Sequence, residues 1–415
     1  MHTTDTIIVG AGQAGLAVSN ILTAKGRDHV LFERGQVAES WRSERWDSLR
    51  LLTPNWMTRL PGWRYRGDDP DGFMRREEVV GFFDRYARSF GAPVQGDTTV
   101  ELVRRTTDGY RVVTDRGTWQ TDNVVIATGA NSQAHVPEFA RDLVTGLHQI
   151  TANRYRSPAS LPDGGVLVVG ASSSGVQLAD ELAQTGRDVV LSVGTHARGV
   201  RRHRGRDLFR WLEDTGKNDT PLEKAPNPVA APHQPSMQLV GGHPPVDVDL
   251  ASLQARGVVL VGRLIGANTT EVRFADDLAR TTAAADERLR LLLSAFDDYA
   301  TRNRVHDLEP PEPIVPVTVP ARPITALDVR AADISSVVWA TGYRRDYSWL
   351  DVPVLDERGE IIQRNGVTPA PGLYVVGLRF QSRRNSNFID GVRHDAQAVV
   401  DHLVGEDVTS VRVAV

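Results

Sequence analysis

The residues in this chain that could do chemistry are grouped around two glycine-rich turns. Residues 6–34 run Thr-Ile-Ile-Val, then Gly10-Ala-Gly12-Gln-Ala-Gly15, a helical stretch from Leu16 to Lys25, Gly26, and His29-Val-Leu-Phe-Glu33. Gly10 permits a tight turn, Gly12 lets a pyrophosphate approach the backbone, and Gly15 lets the helix pack on the strand. Phosphates resting there would meet unpaired amides and the favourable end of a helix dipole. Glu33 closes the second strand about 20 residues on, where a carboxylate accepts hydrogen bonds from a ribose diol and selects an adenosine without a 2′-phosphate.

The pattern recurs. Residues 166–193 read Val-Leu-Val-Val, Gly170-Ala-Ser172-Ser173-Ser174-Gly175, a helix to Thr185, Gly186, and Val189-Val-Leu-Ser-Val193. Gly10, Gly15 and Gly26 map onto Gly170, Gly175 and Gly186 at a constant offset of 160, so the chain carries two dinucleotide-binding units. The differences between the copies carry information. Glu33 maps to Val193, and just beyond lie Thr195, His196, Arg198, Arg201, Arg202, His203, Arg204 and Arg206. Loss of the acid with gain of a hydroxyl and cations suits a 2′-phosphate. The first site is therefore expected to hold FAD and the second NADPH, with NADH as the alternative at the second.

Composition narrows the chemistry further. Cysteine is absent, which removes disulfides, thiolate metal sites, cysteine nucleophiles and any mechanism through a redox-active cysteine pair; no metal site is expected. The formal charge of −4 gives no nucleic-acid footprint. Only three of the 48 basic residues are lysines (Lys25, Lys217 and Lys224), so arginines cluster by chance more readily than usual. No apolar run reaches the roughly 18 residues of a membrane helix, and Ile7-Ile8-Val9 begins a strand where a signal peptide would lie. A cytoplasmic protein with no membrane partner is expected.

With two nucleotide motifs in one chain, a hydride passes from nicotinamide to flavin, and the electrons go on to a dithiol, to a redox partner or to oxygen. The missing cysteines exclude the first. Here the residues resemble the flavin-containing monooxygenases. Val124-Val-Ile-Ala127-Thr128-Gly129 and Val337-Val-Trp-Ala340-Thr341-Gly342-Tyr343 are strand-ending motifs flanking the second unit, as in that family. Glu39-Ser40-Trp41 lies at its Gly-Gly-x-Trp turn, without the two glycines. The stretch from Trp46 to Trp56 resembles its segment beside the flavin ring, and Gly391 to Leu403 its C-terminal helix. Leu378 follows Gly377 where reductases that serve a protein partner carry an aspartate. The motif between the units has Thr151 in the histidine position and His148 out of register, so Baeyer–Villiger oxidation is not expected.

The resemblance implies a monooxygenase: NADPH reduces FAD, oxygen adds at flavin C4a to give a peroxyflavin, and a small organic substrate is oxygenated at N, S or C. The alternatives are a flavin reductase or oxidase passing electrons to a partner or to oxygen, and a non-catalytic nucleotide-binding flavoprotein. FAD is expected on Gly10, Gly12, Ala14, Gly15, Glu33, Arg34, Trp41, Val100, Ala127, Thr128 and Gly129. NADPH is expected on Gly170, Ser172, Ser173, Ser174, Gly175, Thr195, Arg198, Arg201, Ala340, Thr341 and Gly342. Thr53, Asn55 and the polar run Phe380-Gln381-Ser382-Arg383-Arg384-Asn385-Ser386-Asn387-Phe388 are the candidates facing the flavin, Arg383 and Asn385 foremost, with Arg383 or Arg384 as a clamp for an anionic substrate or for the charge of the reduced flavin. Substrate and oxygen are the expected partners, in a monomer or a homodimer.

The elements that must position these residues follow from periodicity. The fold class is α/β: two Rossmann-like units, the NADPH unit inserted into the FAD unit. The expected division is 1–155 for the first part of the FAD domain, 156–330 for the NADPH domain, and 331–415 for the rest. Within the insertion at 215–305, residues 216–245 read as a long loop. Ala285 to Asn303 reads as a helix with Leu289, Leu291, Leu292, Leu293, Phe296 and Tyr299 on or near one face, either packing or covering a substrate.

Overall fold

The structure is a computed structural model describing residues 2–131, 133–143, 146–242 and 246–406. Residues 243–245 of the expected loop and 407–415 of the last expected segment lie outside the described residues.

The apolar run at Ile7-Ile8-Val9 is buried on both faces, as a central parallel strand must be. The strand His2–Val9 pairs in parallel with His29–Phe32 on one side and with Gly117–Ile126 on the other. Val94–Gln95 extends the sheet beyond His29–Phe32. The strand Gly117–Ile126 is shared: its first half pairs antiparallel with Gly109–Thr114, and Val124–Ile126 pairs in parallel with Leu373–Val375. That last strand comes from the far end of the chain, so the first unit is discontinuous. Helices Gln13–Ala24 and Val392–Leu403 cover the same face, where Leu16 and Ile21 share one core with Val392, Ala396 and Val399.

The second unit is a five-stranded parallel sheet in the order His148–Thr151, Ile334–Trp339, Gly165–Val169, Val189–Ser192, Val259–Val261. It takes in strands on both sides of the 156–330 span expected for this domain. The chain enters it before residue 156 and leaves it after residue 330, because Ile334–Trp339 pairs with two strands at once.

Helix Leu278–Arg302 starts earlier than the periodicity indicated. Leu289, Leu293, Phe296 and Ala300 are its buried stripe, at spacings of four and three. Leu291 lies roughly 200° around the helix from Leu289 and faces solvent, 63% exposed. The stripe packs on the short helix Leu208–Asp214, with Phe296 stacked on Trp211 at 5.6 Å. The helix therefore backs the wall to which Phe209 and Leu212 belong. Beyond it, residues 309–325 form neither helix nor strand, as suits a stretch whose prolines lack the N–H that either would need.

Both helix–strand crossings depend on missing side chains. A Cβ at Gly15 would lie 1.9 Å from the carbonyl oxygen of Gly10, and one at Gly175 would lie 1.7 Å from that of Gly170. Neither contact relaxes without moving backbone. Gly15→Ala is expected to cost about 3 kcal/mol or more of stability, read as a lower midpoint in urea unfolding.

Candidate functional site

The first glycine turn leaves the sheet at its carboxyl edge, between His2–Val9 and Gly117–Ile126, where strand connections diverge and a crevice opens. Gly10 has φ +108°, and a Cβ there would lie 2.6 Å from the Ala127 carbonyl oxygen. At Gly12 an added Cβ would meet nothing within 4 Å. Helix Gln13–Ala24 begins there with no side-chain cap and no acidic residue in its first turn, so its amide end is open to an anion.

A cavity of about 490 Å³ lies over this edge. Gly10, Gly12 and Ala14 form its floor, Glu33 and Arg34 stand at the end of the second strand, and Trp41, Val100 and the Ala127-Thr128-Gly129 turn complete the expected set. Gly15 alone of that set stays out, packed beneath the turn. Glu33 is buried and accepts the Ala11 N–H at 2.8 Å. Burial pushes its carboxyl up, while the amides of Ala11 and Gly35 pull the other way. Gln13 and Thr98, which were not singled out from the sequence, also line the cavity, as do Gly377 and Asn387. The signal for Gly377 was its place at the end of a strand; its φ is +94°, and a Cβ there would press on Ala14 at 2.9 Å.

The second turn repeats the first in detail. Gly170 has φ +106°, and a Cβ there would lie 2.4 Å from the Ala340 carbonyl oxygen, as Gly10 meets Ala127. Ser172 holds φ −80° and ψ −173°, against −83° and −167° at Gly12, so serine takes the glycine's place without strain. Ser173 is buried: its Oγ accepts from the Gln177 side chain at 2.9 Å, and Gln177 also donates to the Leu239 carbonyl at 2.9 Å. Gln238 donates to the Ala171 carbonyl at 2.7 Å, so the segment 237–239 of the long loop lies against this turn. Thr341 donates through its hydroxyl to the His135 carbonyl, and the His135 N–H donates to the Gly342 carbonyl at 2.9 Å. Strands Gln133–Ala134 and Tyr343–Arg344 then pair, zipping together the two crossings between the units.

Arg198 and Arg201 are not the phosphate ligands the sequence suggested. The Arg198 guanidinium is 7% exposed, held between Asp249 at 2.5 Å and Asp286 at 2.6 Å, and it donates to the Val315 carbonyl at 2.8 Å. Arg201 is buried too; it pairs with Asp207 at 2.8 Å, donates to the Leu52 carbonyl at 2.7 Å and lies over the Phe73 and Phe209 rings. Both cations are already neutralised by the fold. The cation at the strand end is Arg263, which the sequence reading missed because it follows a different strand. It donates to the Thr195 hydroxyl at 3.0 Å and lies 4.0 Å from the Asp277 carboxylate, and the Arg263 and Thr195 side chains are exposed.

The residues expected beside the flavin separate. Thr53 lines a second cavity, of about 310 Å³. Asn55 is an internal clamp, donating to the Asp69 carbonyl and accepting the Met74 N–H, each at 2.9 Å. Asn385 is buried and donates to Asp219 at 3.0 Å, with Arg383 3.9 Å from the same carboxylate. Neither Arg383 nor Asn385 lines either cavity; their neighbours Arg384 and Asn387 do. The second cavity is walled mainly by apolar side chains, among them Leu52, Phe209, Met237 and Phe388. Gln13, Trp41 and Asn387 line both cavities, and Gln13 donates to the Asn387 carbonyl at 2.7 Å. Those three residues are the threshold between a polar nucleotide-shaped cleft and an apolar chamber.

Two dinucleotide folds, one built into the other, define the class as an oxidoreductase of the two-nucleotide flavoprotein type. Residues 7–217 match the model of the pyridine nucleotide-disulphide oxidoreductases, and the chain belongs to that family. It does so without a cysteine. Its structure is similar to that of a flavin-containing monooxygenase from Stenotrophomonas maltophilia, with a TM-score of 0.68 and 19% identity over 98% of this chain and 99% of that one. In sequence it is 29% identical to an uncharacterized oxidoreductase, CzcO-like, from Geobacillus kaustophilus, over 97% of this chain and 99% of the relative. It is also 30% identical, over 42% of this chain and 44% of the relative, to the indole-3-pyruvate monooxygenase YUCCA4 of Oryza sativa subsp. japonica. Among the described residues no helix is long and apolar enough to cross a membrane.

Two substitutions test the nucleotide sites. The Cβ of Gly12→Val meets no protein atom within 4 Å, so the variant is expected to fold with the thermal midpoint of the flavin-free parent. It should lose flavin during purification, since a steric loss of about 1.4 kcal/mol already costs tenfold in affinity. Arg263→Ala is expected to raise KM for NADPH by about tenfold and leave that for NADH unchanged, in steady-state assays with each nucleotide, because a charge-assisted bond to a phosphate contributes roughly 1.5–3 kcal/mol.

Proposed function

We propose that this chain is an FAD- and NADPH-dependent monooxygenase that oxygenates a small organic substrate with O2. The observation that carries the reading is the threshold of Gln13, Trp41 and Asn387, where the cleft over the first glycine turn gives onto an apolar chamber. The cleft fits FAD on one structural test: Gly10 and Gly15 are closed to side chains while Gly12 between them faces open space. Thr195 with Arg263 fits NADPH, since the position of Glu33 is taken there by Val193. When bound, NADPH supplies a hydride and FAD supplies two-electron redox chemistry and the activation of oxygen.

The chain's own residues bind, orient and exclude water. The open amides after Gly12 take the pyrophosphate, and Glu33 takes the ribose hydroxyls. Trp41 and Gln13 hold the flavin end at the threshold. Leu52, Phe209 and Phe388 would exclude water from the chamber beside the flavin end of the cleft. In this reading the first domain is formed by the two ends of the chain, and the second is inserted between them. The lack of cysteine and the Leu378 after Gly377 support oxygen, not a dithiol or a protein partner, as the electron acceptor.

The test is isotope incorporation. The FAD-loaded enzyme, NADPH and 18O2 are incubated with a panel of aryl sulfides, amines and ketones, and products are read by mass spectrometry. One 18O atom per NADPH in a product is the expected result. Recovery of all the oxygen as hydrogen peroxide, at a rate no panel member changes, contradicts the reading.

A further inference from the structure

The apolar chamber carries two cations and no acid. Arg379 and Arg384 both line it, and no aspartate or glutamate does. The two buried arginines among the described residues are neutralised by acids, Arg198 by Asp249 and Asp286 and Arg201 by Asp207, while the half-buried Arg50, Arg156 and Arg187 donate to backbone carbonyls. Arg379 donates to the Gln234 carbonyl at 2.6 Å, an uncharged partner. The Arg384 side chain has no hydrogen bond or ion pair among the described residues; only its backbone N–H is engaged, donating to the Thr220 carbonyl at 2.9 Å. A guanidinium among Leu212, Met237 and Phe388 without a counter-charge is costly and persists where a ligand supplies one. Burial accordingly makes the Arg384 guanidinium easier to deprotonate than usual. A second unmet group points the same way. Asn218 lines the chamber, is 3% exposed, and its Oδ1 has no partner. A buried amide oxygen without a partner beside a cavity calls for an explanation, and a ligand's donor supplies one.

We infer that the substrate is a small apolar molecule bearing one carboxylate, which pairs with Arg384 and leaves the apolar body against Phe209, Met237 and Phe388. The inference rests on the monooxygenase reading and adds the substrate class to it. A guanidinium pairs a carboxylate through two parallel N–H bonds, which fixes the molecule's direction as well as its charge. A chamber of about 310 Å³ is at the small end for organic ligands, which suits one ring and a short acid tail. No glycine turn with open amides lines this chamber, so a nucleotide pyrophosphate is served by the first cleft and not by these walls.

The test uses the FAD-loaded enzyme and a matched pair of probes, 3-phenylpropionate and 3-phenylpropionamide, in isothermal titration calorimetry. The acid is expected to bind at least about tenfold more tightly than the amide, since a charge-assisted pair is worth more than its neutral counterpart. The preference should vanish in Arg384→Met and return in part in Arg384→Lys. Because the half-buried Arg384 side chain makes no pair among the described residues, Arg384→Met should also melt no lower than the parent. Equal binding of acid and amide, binding of neither, or a preference that survives Arg384→Met overturns the inference. So does a rise in KM for NADPH in Arg384→Met with the acid preference intact. Flavin reduction by NADPH is followed in the same samples. Acid preference without reduction upholds the anion site and removes the monooxygenase reading; reduction without acid preference does the reverse.

Discussion

The crossing of a helix over a strand with no side chain between them is the contact on which this molecule depends. At Gly15 and Gly175 the helix backbone comes so close to the preceding turn that even a methyl group would overlap a carbonyl oxygen. Gly10 and Gly170 make the matching approach to Ala127 and Ala340 on the neighbouring strand. These four glycines fix where each helix starts and aim its unpaired amides over the edge of the sheet. The same two places are where the chain passes from one unit to the other. The pairing of Gln133–Ala134 with Tyr343–Arg344 ties those passages together, so the geometry of each nucleotide turn is coupled to the joint between the units.

Charge is distributed on a second principle. The protein is rich in arginine, and the fold spends many of these residues on its own carboxylates. Arg198 joins Asp249 before one helix to Asp286 in another, and Arg201 ties the loop at Asp207 to the backbone at Leu52. Breaking a buried pair of this kind strands a charge, so such arginines hold the structure and are not available to a ligand. Others are held more loosely: the exposed Arg263 stands beside Thr195 with Asp277 4.0 Å away, and the Arg384 side chain faces an apolar chamber with no acid on its walls.

Much of the fold was legible in the sequence, because it is written in short-range patterns. The repeat at an offset of 160 specifies two strand–turn–helix–strand units, and the roles of Gly10, Gly12 and Gly15 follow from steric requirements that are local. The chemistry at a distance was less so. Arg198, Arg201, Arg204 and Arg206 look like one cluster along the chain, yet their partners lie on other elements; the acids that claim Arg198 are 51 and 88 residues away. Arg263 gives no signal next to Thr195 because only the sheet brings them together. In the run from Phe380 to Phe388, the sequence marks a polar link but not which side chains turn inward. A left-handed backbone at Phe380 and the Asn385–Asp219 bond send Arg383 and Asn385 away and leave Arg384 and Asn387 facing the cavities. Asn55 was misread for the same reason, since its partners Asp69 and Met74 lie on the segment that folds back over it.

The proposed reading stands on reduction by NADPH of a flavin held over the first glycine turn. Anaerobic titration of the FAD-loaded protein with NADPH, following the flavin absorbance in a stopped-flow instrument, tests it most directly. The account predicts complete bleaching with one equivalent of NADPH, and faster bleaching with NADPH than with NADH. A flavin that stays bound and oxidised in the presence of excess NADPH would contradict it.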